Sequence, residues 1–263
     1  MMQNPYNVSS DPCGSSSGSA IAVATNMVAV SIGTETDGSI LCPSNANSVV
    51  GIKPTVGLTS RSGVIPISPR QDTVGPICRT VADAVYVLDA IVGFDKHDYE
   101  ATENARKYIP KGGYTQFLKV DGLKFKRLGI IRHPFFNFSE DSLQNLAFRQ
   151  HFHTLRQKGA VLIDDLEIPN VDLILSSNEE VTVMLAEFKQ SLNSYLKDLH
   201  ASPVRSLADI IDFNNRFSNE EKTKEYGQEV FKLAEATNGI KEKEKEALST
   251  LEKWSREGFE KII

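Results

Sequence analysis

Residues 12–54 read PCGSSSGSAIAVATNMVAVSIGTETDGSILCPSNANSVVGIKP and carry the pattern that decides the fold. Two serine-bearing bends, Gly14–Ser19 and Thr36–Ser39, flank an Ala-rich apolar run and a β-branched run. The first run predicts a buried helix over Ser17–Met27, and the second predicts a buried strand over Val28–Thr34. Such an arrangement can bring two hydroxyl groups into one site, as a hydrolase with a serine nucleophile requires.

The composition is that of an ordinary water-soluble globular chain. Of its 263 residues 40% are apolar and 24% are charged, which is enough for a sizeable core. The net charge of -5 and the lack of a long basic run exclude nucleic acid as an expected partner. No apolar run approaches the length of a membrane span, and the first residues show no signal peptide.

The cysteines and histidines predict neither a metal nor a cofactor. Cys13, Cys42 and Cys78 are too few and too widely spaced for a disulfide framework or a thiolate metal site. They could line the site, but buried structural cysteines are expected instead. His151 and His153 lie two residues apart, which places them on different faces of a helix. Lone histidines are commonly structural.

Strands and helices alternate in the middle of the chain. Thr80 and Asp83 predict a capping box at the start of a helix. Arg127–Arg132 and Val161–Ile163 predict two strands, and the helix between them has Ser139 as its expected cap. This βαβ order predicts a parallel strand pair with a right-handed crossover.

From Glu179 onward the pattern is mostly helical. One face of the first of these helices is an apolar stripe that includes a methionine and aromatic residues. We interpret this stripe as core, since helical periodicity explains it. Ser206 is the expected cap of a second helix, a third is predicted over 220–236, and a fourth begins near Lys241.

Seven motifs follow one another along the chain: Gly14–Ala20, Gly33–Ile40, Pro43, Val49–Thr55, Asp72–Pro76, Arg79–Ala84 and Leu88–Ile91. In this order they resemble the amidase signature family and its branch of plant and fungal amidases. The resemblance implies an α/β fold, with a mixed twisted sheet covered by helices. It divides the chain into a partial signature core over 1–170 and a helical cap or insertion over 171–263.

The resemblance also implies hydrolysis of a small linear carboxamide by a Ser–Ser–Lys triad, without metal or nucleotide. Ser39 matches the nucleophile, and Ser15 matches the bridging serine, which follows a cis peptide bond in the family. The bridging serine relays the proton of the nucleophile to a neutral lysine. The backbone N–H groups of Thr36, Asp37, Gly38 and Ser39 match the oxyanion hole.

Two residues of the second bend depart from the family pattern. Leu41 stands where the family has arginine, so the charge partner of Glu35 is expected to be absent or to come from elsewhere. Asp37 stands where the family has its first glycine and brings a carboxylate near the oxyanion. The plant and fungal branch carries similar changes, so neither is interpreted as inactivating.

The largest departure is the base. The family's lysine lies upstream of both serines, whereas no lysine precedes Ser15 here. Lys53 comes first and matches the structural Gly-Ile-Lys-Pro motif. We therefore expect an amidase-core fragment, truncated at both ends and slowed by orders of magnitude, because its nucleophile would rarely be deprotonated.

Two other functions are compatible with the sequence. The same signature occurs in the amidase component of tRNA-dependent amidotransferases, which would imply partner subunits, although the Ile40–Leu41–Cys42 variant fits that component poorly. The missing lysine is also compatible with a non-catalytic truncated product that binds ligands or partners.

Overall fold

A computed structural model describes residues 2–262 and divides them into two compact units. The first unit contains the chain up to Leu118 together with Leu185–Gly239. The second contains Lys119–Met184 and the chain from Ile240 onward. This division differs from the predicted boundary at residue 170, and the assignment of core and cap stays a prediction.

The first unit is built on a three-stranded antiparallel sheet in the order β1-β3-β2. Its elements up to Leu118 are α1 Ser17–Ala24, β1 Val30–Glu35, α2 Leu41–Ala46, β2 Val50–Gly51, β3 Thr73–Cys78, α3 Val81–Ile91 and α4 Tyr99–Ala105, with short 3-10 turns at Lys96–Asp98, Arg106–Tyr108 and Thr115–Phe117. The predicted buried strand is wrong in one respect. Strand β1 lies at the edge of the sheet, and the side chains of Val30 and Ile32 are exposed.

The helical part of the first unit forms a separate cluster of apolar side chains. It contains the C-terminal part of α7 Glu179–Asp198, followed by α8 Leu207–Arg216, α9 Thr223–Tyr226 and α10 Glu229–Glu235. Leu192, Leu196, Leu207 and Ala234 are buried at its centre, which supports the interpretation of the apolar stripe as core.

The second unit contains the predicted βαβ element. Its elements are β4 Arg127–Ile131, α5 Leu143–Gln157, β5 Val161–Leu166, α6 Val171–Ser176, the beginning of α7, and α11 Glu242–Glu257, with a 3-10 turn at Phe259–Lys261. Strands β4 and β5 pair in parallel, as the sequence predicted, with Arg127 opposite Val161.

The predicted N-terminal caps and helix bounds are partly right. Thr80 and Ser206 each accept the N–H group three residues ahead, so both predicted caps are confirmed. The predicted cap at Ser139 is wrong, because Ser142 accepts from Asn145 instead. The helix predicted over 220–236 is two helices, separated at Gly227, whose φ of 68° lies in the left-handed region.

Candidate active site

The two serine bends are neighbours in the first unit. The N–H of Ser16 donates to the carbonyl oxygen of Ser39 at 3.1 Å. The Ser16 hydroxyl donates to the carbonyl oxygen of Thr34 and accepts its N–H, which attaches the first bend to β1. The peptide bond between Gly14 and Ser15 is cis. The tertiary structure therefore brings the two predicted bends together.

Ser15 and Ser39 line the same cavity, which has a volume of about 40 Å³. Neither hydroxyl has a hydrogen-bond partner among residues 2–262. Both hydroxyls are therefore free of competing contacts within the described protein.

The turn that carries Ser39 is anchored by the residue that follows it. The Ile40 side chain is fully buried against Ala20 and Ile77, in a small cluster beneath the site. Gly38 has a φ of 79°, which lies in the left-handed region that residues with a side chain rarely adopt. An apolar anchor and a glycine bend thus fix the backbone on both sides of Ser39.

Glu35 organises the backbone of this turn. Its carboxylate is 4% exposed and accepts N–H groups from Gly38, Ile40 and Leu41 at 2.7–2.9 Å. No cation forms an ion pair with Glu35 among residues 2–262, and three backbone donors bind its carboxylate in place of a charge partner. Sequence reasoning missed them, because only the folded turn points these N–H groups at one carboxylate.

The contacts of Glu35 change the set of candidate oxyanion donors. The N–H of Gly38, which was predicted to bind the oxyanion, is already donated to Glu35. The N–H groups of Thr36, Asp37 and Ser39 have no acceptor among residues 2–262. They are therefore the groups of this turn best able to receive an oxyanion.

Arg61 is the cation that lines the cavity, and sequence reasoning did not select it. Its guanidinium makes two hydrogen bonds of 3.0 Å to Asp98 and one to the carbonyl oxygen of Pro69. The side-chain bond to Asp98 is the main reason that the pKa of Arg61 is raised. Arg61 therefore stays protonated and cannot act as a base.

No lysine lines this cavity among the described residues, and Lys53 is exposed elsewhere in the chain. A larger cavity of about 360 Å³ lies beside the first, because Arg61, Val64 and Asp72 line both. His97 and Tyr195 also line the larger cavity. Its volume is sufficient for a small organic group next to the serines.

The expectation of buried structural cysteines is wrong for two of the three. Cys13 and Cys42 form a disulfide with a Cα–Cα distance of 5.8 Å, and Cys42 is exposed. This bond joins the segment just before Ser15 to helix α2, just after Ser39. Their pairing has no signal in the sequence, because the two lie 29 residues apart and meet only in the folded chain. Cys78 is buried and free, and burial raises the pKa of its thiol.

Residues 2–262 contain neither a candidate metal cluster nor a helix that could span a membrane. No group of three or more His, Cys, Asp or Glu side chains there is arranged to hold a metal ion. In the same residues no helix combines the length and apolar character needed to cross a bilayer.

The sequence and the fold are similar to those of known amidases. The family model named Amidase matches residues 1–261. The probable amidase At4g34880 of Arabidopsis thaliana is 59% identical over 99% of the chain, which covers 49% of that protein. The protein C869.01 of Schizosaccharomyces pombe, also named as an amidase, is 40% identical over 82% of the chain and 39% of its own length.

A solved structure is similar over the same range. The native peptide amidase of Stenotrophomonas maltophilia aligns with a TM-score of 0.86 and 44% identity, over 97% of this chain and 51% of that one. One component of the glutamyl-tRNA(Gln) amidotransferase of Thermoanaerobacter pseudethanolicus matches 66% of the chain at 36% identity, over 34% of its own length. The chain thus spans about half the length of these relatives or less. It belongs to the amidase family and has its α/β fold.

Proposed function

We propose that this chain is the serine-bearing part of an amidase, a hydrolase of carboxamide C–N bonds. Ser39 is the nucleophile, and Ser15 passes on its proton. The observation that carries this proposal is the shared cavity. Two hydroxyls without protein partners among residues 2–262 line it, next to a turn with three N–H groups that lack an acceptor there.

The chemistry follows from this placement. The Ser39 oxygen attacks the amide carbon, and its proton moves to the Ser15 oxygen as the Ser15 proton moves to a base. The negative charge on the former carbonyl oxygen is stabilised by the N–H groups of Thr36, Asp37 and Ser39. The C–N bond breaks, the amine leaves with a proton, and water hydrolyses the acyl-enzyme.

The base limits the rate of this chain when it is assayed alone. The triad needs a neutral amine, and the cation at the cavity is the guanidinium of Arg61. Residues 1–263 expressed alone are therefore expected to react orders of magnitude more slowly than a complete triad. The substrate class is a linear amide, and peptide amides are the first to assay because the similar solved structure is a peptide amidase.

The test is covalent labelling by a fluorophosphonate, with residues 1–263 compared with the native gene product that carries this chain. The native product should be labelled, and Ser39→Ala should abolish labelling. Ser15→Ala should slow it by at least about 100-fold, because the proton then lacks its relay. Ser9→Ala is the matched control, since Ser9 is exposed and contacts Asn7 alone. Equal labelling of Ser39→Ala would refute the assignment.

A second candidate function is that of an amidotransferase component. It is favoured by the similarity to a component of a glutamyl-tRNA(Gln) amidotransferase. It predicts co-purification with partner subunits and glutamine-dependent transfer of ammonia. Free amide hydrolysis without a partner would favour the first proposal instead.

A non-catalytic role is the third candidate. It predicts that neither the native gene product nor residues 1–263 react with the fluorophosphonate, although both fold and unfold cooperatively.

A further inference from the structure

Asp72 is a second buried carboxylate at the serine cavity, and the triad chemistry leaves it without a role. It is 7% exposed and lines the cavity with Ser15 and Ser39. One carboxylate oxygen accepts the Thr36 hydroxyl at 2.6 Å. The other accepts the N–H groups of Ile67 and Ser68 at 2.8 and 2.9 Å.

These donors belong to two different parts of the cavity. Thr36 begins the turn that presents the candidate oxyanion donors and Ser39. Ile67 belongs to the segment 64–68, which we call the wall of the cavity, and Val64 and Ile65 of this segment line the cavity as well. Because each oxygen of Asp72 binds one of these parts, the rigid carboxylate fixes the distance between the turn and the wall.

The wall has a further attachment within the same unit. Glu187 on α7, 7% exposed, accepts the Ser68 hydroxyl at 2.6 Å and the Arg70 Nε at 2.6 Å. Two buried carboxylates therefore hold the wall at Ser68. Asp72 accepts the Ser68 N–H and also binds the turn, and Glu187 on α7 accepts the Ser68 hydroxyl. Such charge-assisted bonds are stronger than neutral ones and restrict movement of the segment.

We propose that Asp72 is a positioning residue for amide hydrolysis, which holds the Thr36–Ser39 turn at a fixed distance from the wall of the serine cavity. This inference rests on the proposed function, since it assigns Asp72 a part in presenting Ser39 and the oxyanion donors. Asp72 does not contact the reacting atoms and acts through the Thr36 hydroxyl. Displacement of catalytic groups by about 1 Å can cost about 100-fold in rate, so a small relaxation of this turn should be measurable.

The test removes the contact without removing the carboxylate. Thr36→Val is nearly isosteric and deletes the hydroxyl that Asp72 accepts. In the native gene product that carries this chain we expect kcat and the Ser39 labelling rate to fall by about 10- to 100-fold, with KM changed less than about threefold. Thr36→Ser keeps the hydroxyl and should restore most of the rate. Asp72→Asn can keep its oxygen on the N–H groups of Ile67 and Ser68 and turn its NH2 to the Thr36 hydroxyl, so it should lower kcat less than Thr36→Val.

Thr154→Val is the matched control, because Thr154 is exposed and its hydroxyl contacts only its own helix, at Gln150. It should leave kcat unchanged. All variants are compared at equal folded fraction, so that lost stability is separated from lost positioning.

Three outcomes would overturn the inference. The first is a Thr36→Val variant whose kcat and labelling rate stay within twofold of the unmodified protein. The second is an effect confined to KM, and the third is an equal loss of rate in Thr36→Ser. A failure of the proposed function gives a different result, since either the unmodified protein would not be labelled or labelling would persist in Ser39→Ala.

Discussion

The serine region of the first unit and the parallel strand pair of the second unit use carboxylates in different ways. Glu35 and Asp72 are 4% and 7% exposed, and each accepts three hydrogen bonds from backbone N–H or hydroxyl groups. In the second unit, Asp164 pairs with Arg132 at side-chain exposures of 33% and 41%. Water screens the second arrangement but not the first.

The comparison indicates which carboxylates must hold the surrounding atoms at fixed positions. A buried carboxylate bound by fixed backbone donors holds the surrounding atoms in place, and removing it leaves several polar groups without partners. A half-exposed ion pair can be replaced by contacts with water. Variants in the serine region should therefore cost more, in stability and in reactivity, than variants of the exposed pair.

The largest expected effect comes from breaking the Cys13–Cys42 disulfide with the double variant Cys13→Ser, Cys42→Ser. For a closed loop of this length the chain-entropy account gives about 3–4 kcal/mol of stability. Urea unfolding with and without reductant measures it. Reductant should destabilise the unmodified protein and leave the double variant unchanged. An unmodified protein insensitive to reductant would contradict the contribution of this bond.

Glu35→Gln should cost about 3 kcal/mol, because an amide has one acceptor oxygen where the carboxylate has two, so its NH2 must face at least one of the three N–H donors. The labelling rate of Ser39 should fall together with stability, since the turn loses its fixed acceptor. Urea unfolding and labelling kinetics measure the two effects. Glu167→Gln, at an exposed position, is the matched control. Equal stabilities of the two variants would remove the distinction drawn between the two regions.

The half-buried pair of Arg61 and Asp98 predicts a pH dependence of stability. Burial alone would raise the pKa of Asp98, but the hydrogen bonds from Arg61 outweigh it and the pKa is lowered. A lowered folded-state pKa adds stability above the ordinary aspartate value near 4. That stability is lost as the pH falls from there through the folded-state value.

Asp98→Asn should therefore be less stable than the unmodified protein at pH 7, where Arg61 loses its counter-charge, and should show a flatter decline between about pH 5 and pH 2. Unfolding by urea at a series of pH values measures both features. A parallel decline of the two proteins across this range would contradict the assignment.

The smallest effect is expected in the second unit. Asp164→Asn should cost no more than about 1 kcal/mol, because the pair with Arg132 is partly exposed. Added salt should reduce the difference further. Urea unfolding at low and high salt measures it, and a loss as large as that of Glu35→Gln would break the comparison.

The sequence was sufficient where a contact is local or a motif is ordered along the chain. The parallel pair of β4 and β5 and the caps at Thr80 and Ser206 follow from short-range patterns, and the structure confirms them. The cap at Ser139 was misplaced by three residues, because several serine and acidic residues there give the same signal. Helix α2 was not predicted, since its six residues carry no helical periodicity.

By itself the sequence determined the family, the α/β fold class and the two serines worth testing, because these depend on residue order. Only the tertiary structure decided the acceptors and donors around those serines. The three N–H donors to Glu35, the Asp72 contacts and the disulfide join groups brought together by folding. Hydrogen bonds and disulfides form only at specific distances and angles, and residue spacing along a chain does not encode them.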